Sequence, residues 1–135
     1  MTGAIVYSKG VLIDSDVLIR FMRGHLKAVV ALETAGDWYI SAVSYMELIQ
    51  GCRNKAELRA VQKALRSADD GVLPVTQGIS DLACALVEKY GLSHSVHLAD
   101  ALIAATALHH GLPLLTANIK HFLPIEALKI NTFLP

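Results

Sequence analysis

The stretch VLIDSDVLI, residues 11–19, places two acids inside a run that is otherwise apolar except for Ser15. The apolar residues before the acids favour a short buried strand, and a helical pattern follows them. An ionised carboxylate that loses water needs a partner or a bound cation. We therefore expect Asp14 to mark a site at the end of a strand. For Asp16 we expect a cap of the following helix, with a role in the site as the alternative.

The composition predicts a sheet that is covered on both faces. Of the 135 residues, 53% are hydrophobic and 18% are charged, and the formal net charge is zero. Such an apolar chain favours a sheet between layers of helices, together with an apolar surface that contacts a partner. A neutral chain has no general attraction for nucleic acid, but a bound divalent cation can supply local positive charge.

Short apolar runs alternate with helical patterns along the chain, which predicts a single α/β domain with helices on both faces of a parallel sheet of about five strands. The predicted strands are Val11–Ile13, Trp38–Ile40, Val72–Val75, Leu114–Leu115 and Leu128–Ile130. The predicted helices are Val17–Arg23, Leu26–Ala35, Ser44–Gly51, Lys55–Arg66, Ile79–Tyr90 and Leu98–His110. Residues 1–9 are expected to form a loose tail or an additional edge strand.

Neither cysteine lies in a metal-binding or disulfide pattern. Cys52 and Cys84 are isolated, so we expect both to be small core residues in a reducing compartment. The uncharged stretch 101–119 contains Gly111 and Pro113, which predicts a helix, a turn and a strand rather than a membrane span. The N-terminus has no signal-peptide pattern, so a cytoplasmic location is expected.

Polar residues follow several of the predicted strands. In sheets of this class, sites form where the carboxyl ends of the strands meet, close to the point where the strand order reverses. The residues expected to converge there are Asp14, Asp16, Ser41, Ser44, Thr76, Thr116 and Asn118.

Two more acids lie in helical patterns near this edge. Glu47 follows the second predicted strand, but its spacing from Ser44 also fits a capping box without any chemistry. Asp100 lies in an apolar helical pattern, where the first turn favours an acid through the helix dipole. Both residues therefore have a structural and a functional interpretation. Together with Asp14 they offer three acids to one place.

Three carboxylates without matching cations raise one another's pKa values, so they are hard to hold together. A hard divalent cation resolves this repulsion. Mg²⁺ or Mn²⁺, bound by one or two carboxylates with waters and phosphate oxygens, is the expected ion. It would orient a water molecule and stabilise the leaving oxygen of a phosphodiester.

At this point the sequence resembles the PIN-domain ribonucleases, particularly the toxins of VapBC toxin–antitoxin pairs. The resemblance rests on LIDSDVLI, SAVSYMELIQG, LADALIAATALHHGLPLLT and TANIKHF, in this order from about Val11 to the C-terminus. It implies a compact α/β/α fold that binds Mg²⁺ or Mn²⁺ and cleaves RNA. It also implies that Asp14 and Asp100 are the main metal ligands and that Glu47 completes the acidic cluster.

The resemblance extends to three polar residues and has one departure. Ser44 stands where many relatives have Thr, and Thr116 and Asn118 match the polar turn after the fourth strand. Many relatives have a fourth acid in the segment that here reads NIKHF, residues 118–122, which contains none. Asn118 or Asp16 would have to replace it, or a second metal would bind weakly, so one or two metals remain possible.

Two other functions are alternatives to the nuclease. DSDVL, residues 14–18, also fits the nucleophile motif of haloacid-dehalogenase phosphatases, but the later acids are not placed as those enzymes need. A non-catalytic binding module of the same fold would gain nothing from clustered acids.

RNA binding requires basic residues near the acids. Arg20 and Arg23 are the best candidates, because they lie in the helical pattern that follows the same predicted strand as Asp14. The resemblance also implies a homodimer and a cognate antitoxin whose C-terminal segment covers the acidic site. DNA binding would then belong to the antitoxin.

Overall fold

The computed structural model describes residues 10–66 and 71–135. It contains the strands β1 (Val11–Ile13), β2 (Trp38–Ser41), β3 (Val72–Leu73), β4 (Leu114–Thr116) and β5 (Ile130–Thr132). All neighbouring strands are parallel, in the order β3-β2-β1-β4-β5. The prediction of an α/β fold with a central parallel sheet of five strands is therefore confirmed.

Helices connect the strands. They are α1 (Ser15–Met22), α2 (Leu26–Thr34), α3 (Ala42–Gln50), α4 (Lys55–Arg66), α5 (Gln77–His94), α6 (Leu98–His110) and the short α7 (Ile119–Phe122). Six of the seven were predicted, and the bounds of α4 and α6 match their predictions. The sequence pattern missed α7, whose four residues are too few for a helical period to be visible.

Some predicted boundaries were wrong for local reasons. The third strand stops at Leu73 instead of Val75, since Pro74 has no N–H to donate to a neighbouring strand. The fifth begins at Ile130 instead of Leu128, because the Leu128 N–H donates to the Ile125 carbonyl in a turn.

Two cores lie on opposite faces of the sheet, because successive side chains of a strand alternate in direction. In β1, Leu12 packs into the core beneath α5 and α6, whereas Val11 and Ile13 pack into the core beneath α1, α2 and α4. In β4, Leu114 packs into the core beneath α5 and α6, and Leu115 packs against the core beneath α1, α2 and α4. This alternation produces the three-layer arrangement.

The chain leaves β1 on one side of the sheet to form β2 and β3, and later returns to form β4 and β5 on the other side. The strand order therefore reverses between β1 and β4, which pair directly through Leu12 with Leu114 and Ile13 with Leu115. A crevice for a ligand is expected at the carboxyl ends of these two strands.

Other predictions have mixed outcomes. The prediction for residues 1–9 falls outside the described residues. Cys52 is half-buried and packs against the core beneath α1, α2 and α4 without lying inside it, and the prediction of a core position for Cys84 is wrong, because Cys84 is exposed on α5. Among the described residues, no helix combines the length and the apolar character that crossing a membrane requires.

Candidate metal centre

Asp14 lies where β1 becomes α1 and belongs to both elements. Its N–H donates to the Leu115 carbonyl at 3.0 Å, which continues the pairing of β1 with β4. Its side chain accepts a hydrogen bond from the Ser15 N–H at 2.8 Å and caps α1. The sequence predicted a strand end rather than a helix cap for Asp14. The structure shows both.

Thr116, at the end of β4, fixes the other oxygen of this carboxylate. Its hydroxyl donates to Asp14 Oδ2 at 2.7 Å and accepts from the Asn118 N–H at 3.0 Å. Thr116 is fully buried and Asp14 is only 4% exposed. The neighbouring ends of β1 and β4 therefore hold the Asp14 carboxylate in one orientation.

Asp16 is in the first turn of α1, so the prediction that it is the N-terminal cap is wrong: Asp14 already occupies that position. Asp16 Oδ1 accepts from its neighbour Val17 N–H at 2.7 Å. Its Oδ2 accepts from the Ala117 N–H at 3.0 Å. Asp16 therefore ties α1 to the turn after β4 and brings a second negative charge close to Asp14.

Glu47 lies on α3, two turns of chain after β2, and is exposed overall. Partial burial raises the pKa of its carboxyl group, a hydrogen bond with the Ser15 side chain lowers it, and the charge of Asp100 raises it. Glu47 on α3 therefore interacts with Ser15 on α1 and with the charge of Asp100 on α6. Ser15, which the sequence analysis did not single out, links it to α1.

Asp100 lies in the first turn of α6. Its carboxylate acts on the pKa values of both Asp14 and Glu47, which places the three acids around one crevice. Asp100 Oδ2 is 3.5 Å from Nδ1 of His121 on α7. His121 was not among the predicted site residues, although it lies within the NIKHF segment that lacks an acid.

Burial and like charge raise the pKa of Asp14 to about 6 from its ordinary value of 3.8. Loss of water is the largest cause, and the charge of Asp16 adds to it. The hydrogen bonds from Thr116 and Ser15 act in the opposite direction, and the charge of Asp100 again raises the pKa. Both charged residues that shift this pKa are carboxylates, so a cation would relieve the repulsion.

The chemistry of this donor set fits Mg²⁺ or Mn²⁺, which bind carboxylate oxygens and retain several waters. In the two stretches that the structure describes, no three Asp, Glu, His or Cys side chains converge closely enough to hold an ion by themselves. Such an ion commonly takes only one or two carboxylates from the protein. The arrangement therefore suits an ion whose remaining ligands are water and substrate oxygens.

Two predicted site residues lie differently from expectation. Ser44 is not a cap, because Ser41 caps α3 by accepting from the Val43 N–H at 3.1 Å. Ser44 is fully buried inside the helix, and its hydroxyl has no hydrogen-bond partner among the described residues. The capping box with Glu47 is therefore wrong. Asn118 precedes α7 and is exposed, and its side chain makes no capping hydrogen bond.

The two predicted arginines have different surroundings. Arg20 is half-buried and donates to the Asp16 carbonyl at 3.3 Å, so it folds back along α1. Arg23 is exposed and lines a cavity of about 320 Å³ between α1, α3 and α4, which Glu47 also lines. Arg23 therefore brings a positive charge to the cavity that Glu47 also lines.

Comparison with known proteins assigns this arrangement to a family. A model of the PIN domain matches residues 11–123, which extend from β1 through α7 and contain every acid of the site. The chain belongs to the PIN-domain family. The resemblance seen in the sequence is thereby confirmed, and the phosphatase alternative receives no support.

Two relatives and one solved structure resemble this PIN domain over most of its length. It is 42% identical over 123 residues to Ribonuclease VapC10 of Mycobacterium tuberculosis. This alignment covers 88% of this chain and 90% of that protein. It is 30% identical over 132 residues to Ribonuclease VapC1 of Rickettsia felis, with coverages of 91% and 96%. A chain in a toxin–antitoxin complex from Klebsiella pneumoniae has a TM-score of 0.75 and 30% identity, with coverages of 87% and 94%.

Proposed function

We propose that this PIN domain is a metal-dependent endoribonuclease and the toxin of a toxin–antitoxin pair. The observation that carries the proposal is the Asp14 carboxylate. It is buried and held by Ser15 and Thr116, and it faces the negative charges of Asp16 and Asp100. A carboxylate with only a structural role would be stabilised by a basic partner, but the charged groups that act on Asp14 are carboxylates. Clustered negative charge of this kind is what binding of a cation requires. The relatives named as ribonucleases support RNA as the substrate class.

In this mechanism Asp14 and Asp100 would hold Mg²⁺ or Mn²⁺, and Glu47 would complete the acidic group. When bound, the ion supplies charge stabilisation for the phosphodiester and makes a water molecule more acidic. Glu47 accepts a proton at its carboxylate from the attacking water, a role that its raised pKa favours. Arg23 binds a flanking phosphate, and Thr116 keeps the Asp14 carboxylate oriented.

RNA cleavage by the Asp14→Asn and Asp100→Asn variants tests the mechanism. Each variant should lose about a thousandfold in rate, because several kcal/mol of charge stabilisation depend on these carboxylates. The matched control is Asp81→Asn on the exposed surface of α5, which should cleave like the parent chain. Full cleavage by both site variants would exclude the mechanism. Absence of metal uptake by the parent chain in calorimetry would instead favour a non-catalytic module.

The partners follow from the same proposal. A cognate antitoxin would cover the acidic site, DNA binding would belong to the antitoxin, and the toxin would act as a homodimer in the cytoplasm. Expression of the chain alone should arrest growth, and expression of the Asp14→Asn variant should not. Sedimentation of the purified chain should give twice the mass of 14.5 kDa. Normal growth with the parent chain would contradict the toxin role, and a monomer would contradict the dimer.

A further inference from the structure

His121 is close enough to Asp100 to share a ligand with it. The distance of 3.5 Å between His121 Nδ1 and Asp100 Oδ2 is longer than a good hydrogen bond between such groups. It is comparable to the separation of two ligands of one ion, because donors about 2.1 Å from the metal are about 3.0 Å apart in octahedral and about 3.4 Å apart in tetrahedral geometry. The pair therefore has the spacing of two donors that converge on a cation.

The exposure of the two side chains agrees with this geometry. Asp100 is 17% exposed and His121 is 52% exposed, so the imidazole is accessible to an ion from solvent. A neutral imidazole offers one ring nitrogen as a metal ligand, and this nitrogen differs chemically from the oxygens of Asp14 and Asp100. Two coordination positions are thus available from α6 and α7.

We propose that His121 supplies a nitrogen ligand to the cation site, so that the site prefers a first-row transition ion over Mg²⁺. Mg²⁺ binds oxygen ligands and gains little from imidazole, whereas affinity for nitrogen ligands rises from Mn²⁺ to Co²⁺ and beyond. This inference rests on the proposed function, because it refines the same cation site. It assigns a role to His121 in the segment where the expected fourth acid is missing.

The test is calorimetric titration of the full chain with CoCl₂ and with MgCl₂. In the parent chain Co²⁺ should bind more tightly than Mg²⁺. In His121→Ala the Co²⁺ affinity should fall by about tenfold or more, as expected for loss of a metal-coordinating group. The Mg²⁺ affinity should change by less than about twofold, because oxygen ligands dominate its binding. His121→Asp should shift the preference towards Mg²⁺.

The matched control is His109→Ala at the other end of α6. His109 is nine residues after Asp100, or about 14 Å along the helix, so its loss should leave both affinities unchanged. The visible absorption of bound Co²⁺ provides a second measurement, because replacing a nitrogen ligand with oxygen changes the bands. A simple surface ion pair between His121 and Asp100 predicts no change in ion preference or spectrum in His121→Ala, and that result would overturn the inference.

Asp100→Asn separates this inference from the proposed function. If Asp100→Asn loses both ions and His121→Ala keeps the parent preference, only the role of His121 is wrong. If the parent chain takes up neither ion, or if Asp100→Asn keeps both, the cation site itself is wrong and the inference fails with it.

Discussion

Asp14 meets a structural and a chemical requirement with the same side chain. Its carboxylate caps α1 through Ser15 and accepts the Thr116 hydroxyl, and both hydrogen bonds favour the charged form. Burial and the charges of Asp16 and Asp100 favour the neutral form more strongly, so its pKa is raised to about 6. The negative charge of Asp14 therefore destabilises the metal-free fold, and the proposed cation would relieve this cost.

This cost predicts a pH-dependent stability. Between the unfolded pKa of 3.8 and the folded pKa of about 6, the folded state binds more protons at Asp14 than the unfolded state does. The free energy of unfolding of the metal-free chain should therefore fall as the pH rises through this window, by up to about 3 kcal/mol from this group. Urea titrations at pH 4.5 and 7.5, in the presence of a chelator, measure the difference.

Asp14→Asn is the matched comparison, because its carbonyl oxygen keeps the cap without the charge. At pH 7.5 the metal-free variant should be more stable than the parent chain, and its stability should change less between the two pH values. Equal pH dependence in both proteins would show that Asp14 does not carry the effect.

Thr116→Val tests the hydrogen bond that orients the carboxylate. Valine keeps the shape but cannot donate to Asp14, so the metal-free variant should lose about 1–3 kcal/mol of unfolding free energy at pH 7.5. RNA cleavage should fall as well, because the carboxylate is no longer fixed. Thr116→Ser keeps the hydroxyl and should restore most of the cleavage. Failure of Thr116→Ser to do better than Thr116→Val would argue against the hydroxyl.

At the scale of the elements, the helices that begin at one edge of the sheet bring the acids together. α1 starts directly after β1, and α3 starts directly after β2 with Ser41 as its cap. α6 begins two residues before Asp100, and α7 follows the turn after β4. Asp14 therefore caps its helix, and Asp16, Glu47 and Asp100 lie within the first two turns of theirs, close to the sheet edge.

The same elements distinguish the two arginines that were predicted to bind RNA. Arg23 lines the cavity between α1, α3 and α4 that Glu47 also lines, whereas Arg20 donates a hydrogen bond to the backbone of its own helix. Arg23→Ala should raise KM for RNA by about three- to tenfold with little change in kcat, because it removes about 1 kcal/mol of phosphate binding. Steady-state cleavage kinetics at low salt measure this effect.

Lys129→Ala is the control for this substitution. It removes an exposed positive charge directly before β5 begins, at the opposite end of the strands from the site. A KM increase of the same size in Lys129→Ala would mean that net charge alone accounts for the effect of Arg23.

For the whole molecule, the strand order decides where the site lies. β1 and β4 are adjacent although about a hundred residues separate them in the chain. The sheet continues through β2 and β3 beyond β1, and through β5 beyond β4. The hydrogen bonds from Thr116 to Asp14 and from Ala117 to Asp16 cross this junction. Binding of an ion there should stabilise the entire fold.

Metal-linked unfolding measures this coupling. At a free Mg²⁺ or Mn²⁺ concentration of about one hundred times Kd, the unfolding free energy of the parent chain should rise by about 2.7 kcal/mol. Asp81→Asn should gain the same amount, and Asp100→Asn should gain almost nothing. A similar gain in Asp100→Asn would indicate binding of the ion elsewhere.

The sequence by itself determined the elements and the edge of the sheet that carries the site. Apolar runs and helical spacing are local signals, so the five strands and six of the seven helices in residues 10–66 and 71–135 were predicted. The acids Asp14, Glu47 and Asp100 could be proposed as site residues from their positions after strands or at a helix start. Only the tertiary structure decided that Asp16 contacts Ala117, that Ser41 and not Ser44 caps α3, and that His121 faces Asp100. The long-range contacts depend on strand register and helix docking, which act between residues far apart in the chain. Competition between two nearby serines for one cap depends on where the buried strand ends.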